Sequence, residues 1–186
     1  LLEMASAYSA FANYGQRPLP LMVSRICDNR GNVIAEFFPK QNQAISKESS
    51  YRMVEMLRGV VTSGTGRRLS SYNFKGDVCG KTGTTNYNAD AWWVGFTPEI
   101  LCGVWFGGED RYIHFASTGE GQGAAAALPI FGKFMRKIFN TKKYDFGIHE
   151  DDKFDIEPNY KYCDSEFDGL PSAGAQVIQR VETTEI

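Results

Sequence analysis

The feature that most constrains the fold is a run of three β-rich segments separated by short links. The segments are DVCGKTGT, AWWVGFT and ILCGVWFGG, at residues 77–84, 91–97 and 100–108. Pro98 ends the second segment, and the turn around it leads directly into the third. Because parallel strands need long crossover connections and antiparallel strands do not, these links predict neighbouring antiparallel strands.

Helical patterns stand on both sides of these strands. The first has apolar residues at intervals of three and four, which predicts a buried stripe that ends at Gly15. Its members are Leu1, Met4, Tyr8 and Phe11. Residues 46–63 predict a second helix with Ser46 or Ser49 as its cap. Its apolar face is formed by Met53, Val54, Leu57, Val60 and Val61. Gly64 and Gly66 end the pattern.

A third helix is predicted over residues 128–139, with Pro129 in its first turn. Its expected apolar face comprises Ile130, Phe131, Phe134, Met135 and Ile138.

After a Pro-containing connection at residues 16–20, two strands are predicted around the turn Asp28-Asn29-Arg30-Gly31. The order helix, hairpin, helix, three strands, helix predicts an α+β fold in which helices cover an antiparallel sheet.

The chain divides by composition into residues 1–140 and an acidic, aromatic arm at residues 141–186. Between Thr141 and Asp168 there are nine Asp or Glu residues against four Lys residues. Interspersed aromatic residues predict an extended arm lying on the domain, and the end beyond Leu170 is expected to be poorly ordered. No capping residue precedes Leu1, so we expect that the chain begins inside an element of a longer protein.

Composition excludes several classes of function. With 42% hydrophobic residues among 186, the chain can bury a core, and its formal charge of −2 gives no basic excess for nucleic acid. No apolar run is long enough to span a membrane, and no signal peptide is predicted from these residues. Cysteines and histidines lack metal-ligand spacing, so isolated thiols are expected and neither a metal nor another cofactor is predicted.

The tripeptide Lys81-Thr82-Gly83 raises a choice between a phosphate-binding loop and one wall of an acyl-transfer site. A phosphate-binding loop needs a glycine five positions before Gly80, and that position is Lys75. The residues after the lysine also indicate a strand and a loop instead of a helix. We therefore reject nucleotide binding.

On a strand, Lys81 and Gly83 face one way, and Thr82 and Thr84 face the other. The missing side chain at Gly83 lets another backbone approach the ammonium, and the hydroxyls are donors for a carboxylate. Such an edge suits an extended peptide added as a strand, with the Thr84 N–H stabilising an oxyanion. An ordinary polar edge strand is the competing interpretation. The candidate residues are Lys81 as catalytic and Thr82, Gly83, Thr84 and Thr85 as substrate-binding.

Sequence context favours acyl transfer. Lys-Thr-Gly is a signature of serine penicillin-recognising enzymes. Residues 80–110, GKTGTTNYNADAWWVGFTPEILCGVWFGGED, resemble the third-motif region of class A penicillin-binding proteins, the bifunctional peptidoglycan synthases. The segments LLEMASAYSAFANYGQRPLPLMVSRICDNRGNVI, EMLRGVVTSGTGRRL, ALPIFGKFM and FDIEPNYKYC are similar to flanking parts of that family.

The resemblance implies a part of the penicillin-binding, β-lactamase-like transpeptidase fold, a five-stranded sheet between helices. It also implies a serine D,D-transpeptidase that cross-links peptidoglycan stem peptides and is trapped by β-lactams. Lys81 would set the electrostatics and orient a second-motif serine. Thr82 and Thr84 would bind the substrate carboxylate, and the Thr84 N–H would form half of the oxyanion hole. The implied location is the outer face of the cytoplasmic membrane, or periplasm.

The family's nucleophile motif, Ser-x-x-Lys, is absent from the chain. Ser71-Tyr72-Asn73 matches Ser-x-Asn but stands too close to Lys81, so we interpret it as a loop turn. We expect a C-terminal portion of a transpeptidase domain that is inactive alone and that associates with the missing N-terminal part or with itself. The alternative is a non-catalytic module that binds peptidoglycan or a protein. For Trp92 and Trp93 we expect packing, one in the core and one under a helix.

Overall fold

The computed structural model describes residues 1–141 and 147–156, which belong to one compact unit, Leu1–Ile156. Two 3₁₀ turns, Arg67–Tyr72 and Asn86–Asn88, interrupt the succession of helices and strands. The elements in chain order are α1 (Leu2–Ala12), β1 (Gln16–Pro18), β2 (Arg25–Cys27), β3 (Val33–Glu36), β4 (Gln41–Gln43), α2 (Lys47–Thr62), β5 (Cys79–Thr84), β6 (Asp90–Phe96), β7 (Leu101–Gly107), α3 (Thr118–Gly121) and α4 (Leu128–Asn140).

The central sheet has the order β5-β6-β7, and both pairs are antiparallel. Gly83 lies opposite Trp92, and Trp92 lies opposite Trp105. The turn between β6 and β7 is closed by the Thr97 N–H, which donates to the Ile100 carbonyl at 2.9 Å. The predicted succession of antiparallel strands is therefore confirmed.

Each face of the sheet carries its own apolar cluster, because side chains alternate between the faces. On one face, Trp93 and Val104 pack against Phe131 and Met135 of α4. On the other face, the end of the sheet formed by Cys79 and Phe96 packs against Val54 and Leu57 of α2, with Tyr8 and Phe11 of α1 beside them. The predicted fold, α+β with helices covering an antiparallel sheet, is confirmed.

Helix α4 begins where it was predicted, with Pro129 in its first turn, but its buried stripe differs from the predicted face. Leu128, Phe131 and Met135 are buried, whereas Ile130 and Phe134 are 46% and 41% exposed. Spacings of three and four from Leu128 bring those three side chains onto the sheet. Ile130 and Phe134 stand farther round the helix, where they are only partly covered.

Helix α1 also differs from its predicted stripe. The buried residues are Ser6 and Ala10, whereas Leu1 and Met4 are exposed. The reason is the close approach of β1, since the Ser6 hydroxyl donates to the Pro18 carbonyl at 3.0 Å. The small side chains of Ser6 and Ala10 permit this approach. Tyr8 and Phe11 of the predicted stripe are partly buried and pack against the cluster that contains Cys79 and Phe96. The predicted helix end is confirmed, with Gly15 at a φ of +87°.

The predicted hairpin is formed by β2 and β3, with Gly31 at a φ of +84° in its turn. The Asp28 carboxylate accepts bonds from the backbone N–H groups of Arg30 and Asn32, each at 2.8 Å, which fixes the turn. One pairing was not predicted: residues 16–18, expected to be a connection, form β1 and pair with β4. Each of these strands has only three residues, which is too few for an alternation pattern to be visible.

Helix α2 begins at its predicted cap, where the Ser46 hydroxyl accepts from the Ser49 N–H at 3.2 Å. Residues 147–156 lie against the segment that leads into β5. There the Gly76 N–H donates to the Glu150 carbonyl at 2.7 Å, and Phe154 stacks edge-on against Phe96. The predicted disorder beyond Leu170 lies outside the described residues, as does Cys163. The division of the chain at residue 140 stays a prediction.

No helix in residues 1–141 or 147–156 is long and apolar enough to cross a lipid bilayer.

Candidate active site

Strand β5 carries the predicted site residues Lys81 to Thr84 in the predicted alternation, and Thr85 follows the strand. Lys81 and Gly83 share a face with Trp92 and Trp105, and Lys81 is exposed. Thr82 belongs to the opposite face. A side chain at Gly83 would crowd its neighbour, because an added Cβ would lie 3.0 Å from the Cβ of Trp92. Because Gly83 has no side chain, no side-chain atoms of that residue occupy the surface beside the Lys81 ammonium.

The backbone of β5 has an open edge on the side away from β6. Within the part of the chain that the structure describes, β5 pairs with β6 alone. The Thr85 N–H donates to the Asp90 carbonyl at 3.1 Å, so the N–H of Thr85 points towards β6. In an antiparallel pair these directions alternate, so the N–H and C=O groups of Thr82 and Thr84 point to the open edge. The Thr84 N–H thus has the orientation that strand addition or oxyanion binding requires.

The Lys81 ammonium lies over this edge. Its Nζ donates to the Thr82 carbonyl at 2.8 Å and reaches the Thr82 Oγ1 at 3.4 Å. The carbonyl contact agrees with the outward direction of the Thr82 backbone. A positive charge, a hydroxyl and outward-facing backbone groups therefore converge at one point of the edge.

Two further contacts fix the threonine hydroxyls. The Thr82 Oγ1 lies 2.7 Å from the Oγ1 of Thr65, in the loop after α2. The Thr84 Oγ1 accepts a bond from the Gly123 N–H at 3.1 Å. Because a hydroxyl carries a proton as well as lone pairs, Thr84 keeps its donor for a ligand.

Thr65 was not predicted as a site residue. Its signal in the sequence is the pattern Gly64-Thr65-Gly66, which was interpreted only as the end of α2. Both positions require glycine because other atoms approach closely. A Cβ added at Gly64 would lie 2.9 Å from the Cα of Val60, and a Cβ added at Gly66 would lie 2.9 Å from the Cη2 of Trp93. This tight loop brings Thr65 to the edge of β5.

Thr85 is held in a network at the end of β5. Its hydroxyl donates to the Asp90 Oδ2 at 3.0 Å and accepts from the Asp90 N–H at 2.9 Å. The other Asp90 oxygen, Oδ1, accepts from the Trp105 Nε1 at 2.9 Å. The Thr85 hydroxyl is thus engaged within the protein, and its contact with a substrate stays a prediction.

The other residues that the sequence singled out are the two tryptophans and Ser71-Tyr72-Asn73, and these residues take part in packing and in a turn. Trp93 is buried in the core as predicted, and Trp92 is half-buried on the face with Lys81. Ser71 lies in the 3₁₀ turn that Asn73 ends, and its hydroxyl donates to the Arg68 carbonyl at 2.9 Å.

The cysteines and possible metal ligands do not form a site among the described residues. Cys27, Cys79 and Cys102 are free thiols, and burial raises the pKa of Cys79 to about 12. Across residues 1–141 and 147–156 no three His, Cys, Asp or Glu side chains cluster in a way that could hold a metal.

Comparisons with known proteins point to one family. The family model described as the penicillin binding protein transpeptidase domain matches residues 1–136. Penicillin-binding protein 1A of Aquifex aeolicus is 39% identical over 144 residues, covering 77% of this chain and 19% of the relative. Penicillin-binding protein 1A of Neisseria gonorrhoeae is 38% identical over 148 residues, covering 76% and 18%. The chain thus spans about a fifth of the length of these curated relatives.

Solved structures give the same result. Penicillin-binding protein 1A from Haemophilus influenzae superposes with a TM-score of 0.69 at 24% identity, over 77% of this chain and 27% of that one. The D,D-transpeptidase domain of a peptidoglycan glycosyltransferase from Eggerthella lenta gives a TM-score of 0.54 at 29% identity, over 73% and 32%. The first likeness concerns the fold alone.

Proposed function

The chain belongs to the penicillin-binding protein transpeptidase family, and from this membership we propose that it forms the Lys-Thr-Gly wall of a peptidoglycan D,D-transpeptidase site. The observation that carries the proposal is the open edge of β5. There the Lys81 ammonium, the Thr82 hydroxyl and outward backbone groups converge. An extended peptide that ends in a carboxylate complements this edge in shape and in charge.

The proposed reaction is acyl transfer through a serine. The serine oxygen attacks the carbonyl carbon between two D-alanine residues of a stem peptide, and the terminal D-alanine leaves as its amine takes a proton. An amine of a second stem then attacks the ester, and the serine regains its proton. The result is a cross-link between two stems, and a β-lactam stops the reaction at the ester.

Each predicted residue has a part in this proposal. Lys81 supplies positive charge beside the reacting serine, which lowers the cost of the charge that develops during attack. Thr82 and Thr84 donate their hydroxyl protons to the terminal carboxylate of the substrate. The Thr84 N–H stabilises the oxyanion, since it points to the open edge of β5. Gly83 leaves room for the substrate backbone, and Thr85 fixes the end of the strand through Asp90.

The chain contains no Ser-x-x-Lys, so the nucleophile of this proposal lies on another part of the protein. We propose that residues 1–140 form the C-terminal portion of the transpeptidase domain and that the chain is inactive by itself. The partner of its open surfaces is then the remainder of that domain. The substrate is extracytoplasmic, which places the proposed enzyme at the outer face of the cytoplasmic membrane.

Covalent labelling with a fluorescent penicillin tests the proposal. The full-length protein that includes this chain is expected to take the label, and Lys81→Ala is expected to slow labelling about a hundredfold or more. Lys133→Ala is the matched control, because Lys133 is an exposed lysine on α4 and lies away from β5. A full-length protein that takes no label would instead favour a non-catalytic module that binds peptidoglycan or a protein.

A further inference from the structure

The loop after α2 brings a further threonine hydroxyl, that of Thr65, to the open edge of β5. The Thr65 Oγ1 lies 2.7 Å from the Thr82 Oγ1, which in turn lies 3.4 Å from the Lys81 Nζ. Thr65 itself is exposed. Thr65 comes from the loop after α2 and Lys81 and Thr82 come from β5, and the three polar groups meet at one point on the protein surface.

The position of Thr65 is fixed by the backbone on both sides of it. The Gly64 N–H donates to the Val60 carbonyl at 3.1 Å, and the Gly66 N–H donates to the same carbonyl at 2.9 Å. The Arg67 N–H then donates to the Gly64 carbonyl at 3.1 Å. A hydroxyl on a loop that is closed in this way is preorganised, so a ligand that binds it has little further ordering to impose.

Proton counting shows what the pair of hydroxyls can offer. An ammonium only donates, so the Thr82 oxygen accepts from Lys81. One hydroxyl proton forms the bond between Thr65 and Thr82, whichever of them donates it. The second hydroxyl proton remains for a ligand. The pair therefore presents one O–H donor beside a positive charge, which is a combination that suits a carboxylate oxygen.

We propose that Thr65 is a substrate-binding residue that completes the site for the terminal carboxylate of the stem peptide or the β-lactam. This inference rests on the proposed transpeptidase function and deepens it. Thr65 either donates directly to the carboxylate or donates to Thr82 and thereby directs the Thr82 proton to it. The loop Gly64-Thr65-Gly66 thus has a binding role in addition to ending α2.

The test compares acylation rates of the full-length protein carrying Thr65→Val or Thr65→Ser. Valine keeps the shape and removes the hydroxyl, whereas serine keeps the hydroxyl. Thr62→Val is the matched control, because Thr62 is exposed one turn earlier and its hydroxyl contacts the Gly59 carbonyl. Each variant is reacted with a penicillin and with the methyl ester of the same penicillin, which has no carboxylate.

A hydrogen bond to a charged group sets the expected size of the effect. Thr65→Val is expected to slow acylation by the free acid roughly ten- to hundredfold, with Thr65→Ser and Thr62→Val close to wild type. With the methyl ester, Thr65→Val and wild type are expected to react at equal rates. Thermal unfolding of each variant shows whether the fold is kept.

Other outcomes overturn the inference in distinguishable ways. A folded Thr65→Val variant that reacts with the free acid at the wild-type rate removes the role of Thr65 and leaves the proposed function intact. An equal loss with the acid and with the ester shows that Thr65 only supports β5. A wild-type protein that does not react with penicillin removes the proposed function, and this inference with it.

Discussion

The Asp90 carboxylate joins the ends of all three central strands, because it accepts the Trp105 indole N–H at 2.9 Å and the Thr85 hydroxyl at 3.0 Å. Asp90 lies on β6 opposite Gly107, Thr85 follows β5, and Trp105 is on β7. The end of the Lys-Thr-Gly strand is thus tied to its two neighbours by one side chain. The position of Thr84, and with it the direction of its N–H, depends on this tie.

Replacing Asp90 is therefore expected to affect both stability and acylation. Asp90→Ala removes two hydrogen bonds to a carboxylate and should lower the free energy of unfolding by about 1–3 kcal/mol. Asp90→Asn retains an acceptor for Trp105 and should cost less. Urea unfolding and penicillin acylation of the full-length protein measure the two effects. Wild-type values for Asp90→Ala in both would contradict this role.

Two glycines near the end of α2 make a matched pair. An added Cβ at Gly66 would lie 2.9 Å from the Trp93 ring, whereas at Gly59 it would meet nothing within 4 Å. Gly66→Ala is expected to destabilise the protein by about 1–3 kcal/mol through overpacking. Gly59→Ala is expected to stabilise it by about 0.5–1 kcal/mol, since alanine is the better helix former. Chemical denaturation distinguishes them, and equal effects would contradict the close packing of the loop.

Because the thiol of Cys79 is buried, we expect the folded protein to lose stability at alkaline pH. Burial raises its pKa to about 12, above the ordinary thiol value of about 8.5 that the unfolded chain has. Between these values the unfolded state binds fewer protons than the folded state, so stability falls as pH rises from about 8.5 to 12. Comparing the pH dependence of unfolding for wild type and Cys79→Ala checks this.

Alkylation provides a second test of whether Cys79 is buried in the folded protein. At pH 8 the exposed Cys27 is expected to react with iodoacetamide in the folded protein, whereas Cys79 is expected to react only after unfolding. Rapid alkylation of Cys79 in the folded protein would show that β5 is not packed against α2 as described.

The chain alone is expected to self-associate. Trp105 and Phe106 of β7 are each 44% exposed, and among the described residues β7 pairs with β6 alone. Exposed aromatic side chains along an unpaired strand edge favour association. Sedimentation velocity should detect dimers or larger species, and a hydrophobic dye should bind. A monodisperse monomer that binds no dye would contradict this expectation.

The sequence predicted the elements more successfully than their packing. Short links and turn residues such as Gly31 and Pro98 act locally, so the hairpin and the central strands could be inferred from neighbouring residues. Ile130, Phe134, Leu1 and Met4 were expected to be buried, yet they are exposed because burial depends on which elements lie beside a helix. Apolar spacing marks a stripe but does not show how wide a surface will cover it.

The residues of the candidate site also fall into those that could be predicted from the sequence and those that could not. The alternation of Lys81 and Thr82 followed from strand geometry and from the tripeptide itself. Thr65 and Asp90 could not be assigned in advance, because their contacts with Thr82 and Thr85 join residues from separate elements or across a turn. Gly64 and Gly66 were visible in the sequence, but only the contact with Trp93 shows why the loop must lie so close to β5.

A crystal structure of the full-length protein acylated by penicillin tests the central claim most directly. We predict that the bound ligand lies along the open edge of β5, with its carboxylate in hydrogen-bond contact with the hydroxyls of Thr82 and Thr84 and its carbonyl oxygen on the Thr84 N–H. A structure in which another segment covers that edge, or in which the acylated serine lies away from Lys81, would contradict it.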